Sequence, residues 1–352
     1  MMKFETSEGD HPDLTEVHYD SGVSCSAEND TLEVKPASFS VRGLYNKYYP
    51  TPEEKETLKP EFVVCRRRMH TMPLENPSST KENEYEPAMF VPSIGLVGPS
   101  KFWHEYDETT KTVREDRAIL FQSQENYEKA MNHESFEWCF EEIDYMEYPT
   151  CGEQAIVNGI DTSTLAIGDI FEIEGGHSPL VVEITAPRKP CVYLNYKHDT
   201  YNGTKGIQHY LHHNNLAGWF ARVLVAGELR EGMKFIRKKQ PNPKWTLDYI
   251  HKALYGEGTS RESLMRAASW KRDRKELEEL IALPQLGEYE WKAEARKLLL
   301  KLDGIDWKSV DKHLIDPQLE RTGDPYHFTE LFNIDSMFDM LSTILRSCNI
   351  RC

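Results

Sequence analysis

No uninterrupted apolar stretch in the 352 residues approaches the ~20 that a membrane-crossing helix needs, so no membrane span is expected. Positive charge is short as well: 42 Lys and Arg against 58 Asp and Glu leave a formal net charge of −16. A surface of that sign repels nucleic acid and anionic lipid unless a local basic patch intervenes, so neither is expected as a partner. The seven cysteines are an odd number without C-x-x-C spacing, which is no disulfide framework for so long a chain and suits a reducing cytosol. The opening residues, MMKFETSEGDHPDLTE, contain neither a hydrophobic core nor an Arg-rich amphipathic face, so neither secretion nor mitochondrial import is expected and the expected location is cytoplasmic. A glycine-rich phosphate loop is missing too, so no nucleotide cofactor is expected on this chain.

What is present is enough apolar residue for a sizeable core, 39% of the chain, arranged in segments of different character. Residues 1–30 are acidic and polar with few apolar anchors, and read as a disordered tail. Residues 31–238 carry short β-compatible runs, interrupted at 72–90 by a Pro-, Ser- and Glu-rich loop. Ser123 precedes a helix expected to reach about Phe140. Residues 239–302 turn helical, with Trp245, Tyr249, Ala253 and Leu254 on one stripe and a Thr259-Ser260-Arg261-Glu262 capping box. Residues 303–352 read as a helical extension.

Within that plan one stretch concentrates strand, turn and reactive side chain: Gly168 to His198. Ile170–Ile173 and Leu180–Thr185, joined through Gly175-Gly176, predict a β-hairpin. Pro187 and Pro190 cannot donate to a ladder, so the chain is expected to leave the sheet there. Cys191 follows directly, on a stiffened loop beside Arg188 and Lys189, cations that favour a thiolate. A buried inert thiol is the plainer reading of a cysteine taken alone. Elsewhere, Arg66-Arg67-Arg68 is the densest basic cluster and could receive a phosphate, although alternate residues of a strand face opposite ways. His209, His212 and His213 share a helix face and are read as polar surface, and His198 as a surface histidine.

The run ITAPRKPCVYLN from Ile184 to Asn195 resembles the P-R-x-P-C-x-x-L-N signature of the MOSC domain, in particular its YiiM-like group. Further segments resemble the same family. Ile94-Gly95-Leu96-Val97-Gly98 is similar to its G-L-x-G-D. Thr150-Cys151-Gly152-Glu153-Gln154 is similar to its F-G-E-N, and Gly218-Trp219 to its G-W strand. Val113 to Ile119 stands at the family's H-G-G-x-D-x-A, keeping Asp116 and Ala118 but not the histidine or the two glycines. Asn242-Pro243-Lys244-Trp245-Thr246 and Ala282 to Leu286 resemble the start and a later run of the three-helix domain appended to YiiM-like proteins.

The resemblance implies an α+β fold: a MOSC-type mixed β-barrel with short helices at residues 31–238, then a small C-terminal helical domain at 239–302. It implies a molybdenum cofactor, molybdopterin, with Cys191 as metal ligand. Arg188 and Asn195 would shape the catalytic pocket, and Gly152, Glu153, Gln154 and Arg117 would line the cofactor site. The implied activity is reduction of N-hydroxylated bases or related small N-oxygenated compounds, with electrons from a separate flavoprotein reductase. Two other readings stay open: a MOSC-fold interaction module without cofactor, suggested by the altered H-G-G segment, and a persulfide carrier using Cys191. Substrate identity, electron donor and oligomeric state are not legible.

Overall fold

A computed structural model describes residues 35–47, 66–69, 88–92, 95–97, 106–107, 112–113, 115–134, 136, 144–147, 149–175, 179–191, 194–195, 198, 200, 206–256 and 273–315. The expected tail, most of the 72–90 loop, the Thr259 capping box and residues 316–352 lie outside the described residues.

Seven strands close a barrel: β1 (Ser38–Lys47), β2 (Ile119–Ser123), β3 (Ala155–Asn158), β4 (Ile170–Ile173), β5 (Val181–Pro187), β6 (Trp219–Val225) and β7 (Lys234–Lys239). Their order around the barrel is β7-β4-β5-β6-β2-β3-β1, and β1 returns to β7 with Phe39 opposite Phe235. Every pairing is antiparallel except β2 with β3. The expected hairpin is β4–β5, with Val181 opposite Glu172, and Gly175 takes φ +76 at the turn. The second strand runs on to Pro187, because a proline whose missing N–H is not needed by the partner is tolerated at a strand end.

The side-chain alternation of β1 explains how the barrel is filled. Phe39 and Val41 are buried while Arg42 is exposed, and a bulge between Val41 and Gly43 then changes the parity. Leu44 therefore joins the main core and Tyr45 joins a second cluster behind β3 with Tyr127, Ile156 and Leu211. Aromatic rings occupy the lumen. Phe39 stacks on Phe235 at 4.9 Å and lies 4.9 Å from Phe171, while Phe121 stacks on Trp219 at 5.8 Å.

Among the described residues, five helices of seven or more residues flank the barrel: α1 (Gln124–Met131), α2 (Ile207–His213), α3 (Leu247–Tyr255), α4 (Arg274–Ala282) and α5 (Ala293–Leu302). Ser123 caps α1 by accepting from Asn126 N at 3.1 Å, and Thr246 caps α3 through Tyr249 N at 3.1 Å. The first helix is shorter than expected and ends at Met131, where the Asn132 N–H turns back to Glu128 O. A π-helical turn, Glu288–Lys292, leads into α5. Leu247, Ile250 and Leu254 of α3, Leu277 and Leu280 of α4 and Trp291 share one buried cluster with the barrel residues Leu165, Ile167 and Ile184. Backbone bonds from Ile167 N to Trp245 O and from Leu247 N to Leu165 O, both 2.9 Å, fix that junction. No helix among the described residues is long and apolar enough to cross a membrane.

Candidate functional site

The site is built where β5 ends. Arg188 N donates to Gly218 O at 2.9 Å, the last rung between this chain segment and the approach to β6. Beyond it the loop carries Cys191 outward, and the thiol is exposed. The carbonyl of Cys191 accepts from Leu194 N at 3.2 Å, so a single helical turn follows the cysteine directly.

Asn195 anchors that turn. It is fully buried, its Oδ1 accepts from Gln208 N at 2.9 Å and from Thr200 Oγ1 at 3.1 Å, and Gln208 Nε2 donates in turn to Pro190 O at 3.1 Å. The start of α2 is thereby tied to the residue just before Cys191. His198 is buried rather than at the surface, since its N–H closes the same turn onto Leu194 O at 3.1 Å.

A second wall comes from the segment before β3. Gly152 takes φ +75, which only glycine adopts readily, and a Cβ built there would stand 3.9 Å from Arg188 Nη2. Arg188 Nη1 is buried and has no hydrogen-bond partner among the described residues. A guanidinium nitrogen in that state is a donor prepared for an anion. Cys151 lies under it with its thiol pushed up to about 11 by burial and by Glu153, against the opposing pull of Arg188. This second sulfur stays a neutral thiol at neutral pH.

Glu153 is wholly buried and accepts the Tyr127 hydroxyl. The same phenol oxygen accepts from Thr150 N at 2.9 Å and Thr150 Oγ1 at 3.1 Å. Burial, and then the Glu153 charge, raise the Tyr127 pKa well above that of a free tyrosine, so the phenol keeps its proton.

Gln154 and Arg117 are engaged differently. Gln154 Oε1 accepts from Leu120 N at 2.8 Å and Nε2 donates to Ala118 O at 3.4 Å, so the side chain serves as an extra strand rung beside β2. Arg117 is buried over the Phe220 ring at 4.7 Å and paired with Glu290 at 3.2 Å. Of the seven expected site residues, Arg188 and Gly152 are thus brought face to face, with Glu153 next in the chain and Cys191 three residues beyond Arg188. Asn195 supports the loop, while Gln154 and Arg117 hold the barrel and the helical segment.

Outside this wall, Arg68 is held by Glu231 at 3.0 Å and Glu147 at 2.9 Å, so the basic cluster gives no open phosphate seat at that residue. His209, His212 and His213 do share a face of α2, but they are not an open polar surface: His212 and His213 pack against His251 of α3, with ring centroids 4.9 Å and 6.2 Å from it. Among the described residues no group of three His, Cys, Asp or Glu side chains is placed to hold a metal ion. Sequence reasoning did not find the contributions of Tyr127, Gln208 and Trp291, whose partners are distant in the chain and carry no local signature.

The MOSC domain family matches residues 108–235. A reductase from Gibberella moniliformis (strain M3125 / FGSC 7600) is 24% identical over 119 residues, which is 34% of this chain and 20% of that protein. YiiM from Escherichia coli (strain K12) is 23% identical over 167 residues, 46% of this chain and 64% of that protein. The match therefore spans a fifth of the first relative and a little under two thirds of the second. Among solved structures, a crystallised hypothetical protein superposes with a TM-score of 0.50 at 16% identity, covering 77% of this chain and 92% of its own, which shows a common fold.

Proposed function

Residues 108–235 are a MOSC domain, and from that premise we propose that this protein is a molybdenum-cofactor-dependent oxidoreductase that reduces N-hydroxylated bases or related N-oxygenated compounds. The observation that carries the reading is a buried guanidinium nitrogen of Arg188 that has no hydrogen-bond partner among the described residues, on a side chain facing Gly152, with the exposed thiol Cys191 three residues further along the same loop. A soft sulfur donor on the same loop as a cationic side chain matches the needs of a soft metal carried by an anionic pterin. The reductase name of the fungal relative supports the same reaction class.

When bound, the cofactor would supply two-electron redox chemistry. The chain does the rest. Cys191 would be the metal ligand, and Arg188 would neutralise anionic charge. Gly152 leaves room for close approach, and the Asn195–Gln208–Pro190 bonds keep the cysteine loop in register. Converting N–OH to N–H and water consumes two electrons and two protons. We assign the electrons to a separate flavoprotein donor. Glu153 and the protonated Tyr127 form a buried hydrogen-bonded pair that holds the segment carrying Gly152. The setting would be a cytosolic detoxifying reductase.

A second reading, an interaction module without cofactor, is favoured by one feature. Directly after the place of the family's H-G-G, the turn Glu115–Arg117 is packed by Gly287 and Glu290 of the helical part. Metal analysis of protein from a cofactor-producing host separates the two. Near-stoichiometric molybdenum in the wild type, lost in Cys191→Ala and depleted in Arg188→Met, supports the reductase. A wild type without molybdenum beside a loaded family control overturns it in favour of the module.

A further inference from the structure

The ten residues from Gln285 to Glu294 touch the end of β5 and the cysteine loop at successive points. Gly287 N donates to Thr185 O at 3.2 Å, and Trp291 Nε1 donates to Pro187 O at 2.7 Å in a buried bond. Glu294 lies 3.9 Å from Lys189 Nζ. Arg222 of β6 donates to Gln285 O at 3.2 Å, and Glu290 reaches Arg117. A Cβ at Gly287 would collide with the Asp116 carboxylate, so the approach is as close as a backbone allows.

Two features point to more than packing. Glu290 adopts φ +63, a left-handed conformation that costs a non-glycine residue energy and persists only where surroundings hold it. The Pro187 carbonyl is the last acceptor of β5, and its partner is a side chain from a different part of the chain rather than a strand. With Gln208 holding Pro190 O as well, the backbone leading into Cys191 is held at Pro187 and Pro190.

We propose that Gln285–Glu294 is a clamp that sets the backbone of the Cys191 loop, with Trp291 as its positioning residue. The helical part is then a working component of the site. The proposal rests on Cys191 being the reactive thiol.

The test uses full-length Trp291→Phe, which keeps an aromatic ring but removes the indole N–H. Hydrogen exchange of the peptide spanning residues 186–195 is measured together with the rate of Cys191 alkylation by iodoacetamide at one fixed pH, read at the Cys191 peptide by mass spectrometry. The clamp predicts loop exchange roughly three- to tenfold faster, as loss of one hydrogen bond allows, and a changed alkylation rate, with the β1 and β4 peptides unchanged. A folded variant whose loop exchange and Cys191 alkylation rate match wild type overturns the proposal. So does acceleration spread evenly over the barrel. Should Trp291→Phe not fold, Gly287→Ala replaces it, since its Cβ would meet the Asp116 carboxylate and displace the segment: loop exchange equal to wild type is then the overturning result. Neither readout involves molybdenum, so the clamp and the cofactor assignment fail separately.

Discussion

Acid should loosen the helical cover through one buried imidazole. His251 is 6% exposed, and its pKa is lowered from 6.5 to about 3 by burial first and by His213 second. A hydrogen bond with the His212 backbone opposes that shift only partly. Because the folded value lies below the unfolded one, the unfolded chain takes the proton first. The contribution to stability is therefore complete above 6.5, is lost as pH falls, and levels off below about 3. Linkage for one such group gives a loss of about 2 kcal/mol between about pH 7 and about pH 5. Asp169 works in the opposite sense: burial raises it to about 6, so protonation relieves a penalty at its pair with Arg237. A difference between two proteins cancels that background. Urea unfolding followed by tryptophan fluorescence at both pH values, for wild type and His251→Phe, isolates the imidazole. For a slope near 2 kcal/mol/M, the wild-type midpoint should fall by roughly 1 M more than the variant's. Equal falls would refute the argument. His212 and His213, lowered to about 2 and about 4 mainly by burial, should keep part of the acid sensitivity in the variant.

Gln154→Leu should cost about 1–3 kcal/mol, because Leu120 N is left buried without its acceptor, while Cys191 alkylation stays at the wild-type rate. Gly218→Ala combines φ +89 with a Cβ driven into Phe121 O, so a loss above about 2 kcal/mol is expected in thermal unfolding, and a neutral result would contradict the geometry. Lys129→Ala removes an ion pair with Asp161 whose members are 47% and 44% exposed, and should change stability by less than about 1 kcal/mol in the same assay.

The elements that were legible are those whose cause is local. Two glycines after Ile170–Ile173 marked the hairpin, Ser123 marked a helix start by the side-chain oxygen it places over a free N–H, and the two prolines bounded the cysteine loop, whereas the Thr246 cap was found only in the structure. Closure of the barrel could be expected from the family resemblance, and Phe39 opposite Phe235 carries it out. The site was legible only in part. Arg188 faces Gly152 and Cys191 is exposed, whereas Gln154 completes a strand ladder and Arg117 answers Glu290, partners that no spacing rule connects. His198 looked like a surface residue because its neighbours in sequence are polar, and it is the turn beyond Cys191 that buries it.

The seam between β1 and β7 also sets an order of events during synthesis. Ser38 pairs with Ile236, so the first barrel strand emerges from the ribosome roughly 200 residues, and roughly 10–40 s, before its partner exists. Until then one side of β1 presents unpaired N–H and C=O groups of the kind that recruit foreign strands. A nascent chain stalled before Lys234 should therefore depend on chaperone binding, and release from it should coincide with the appearance of the final strand.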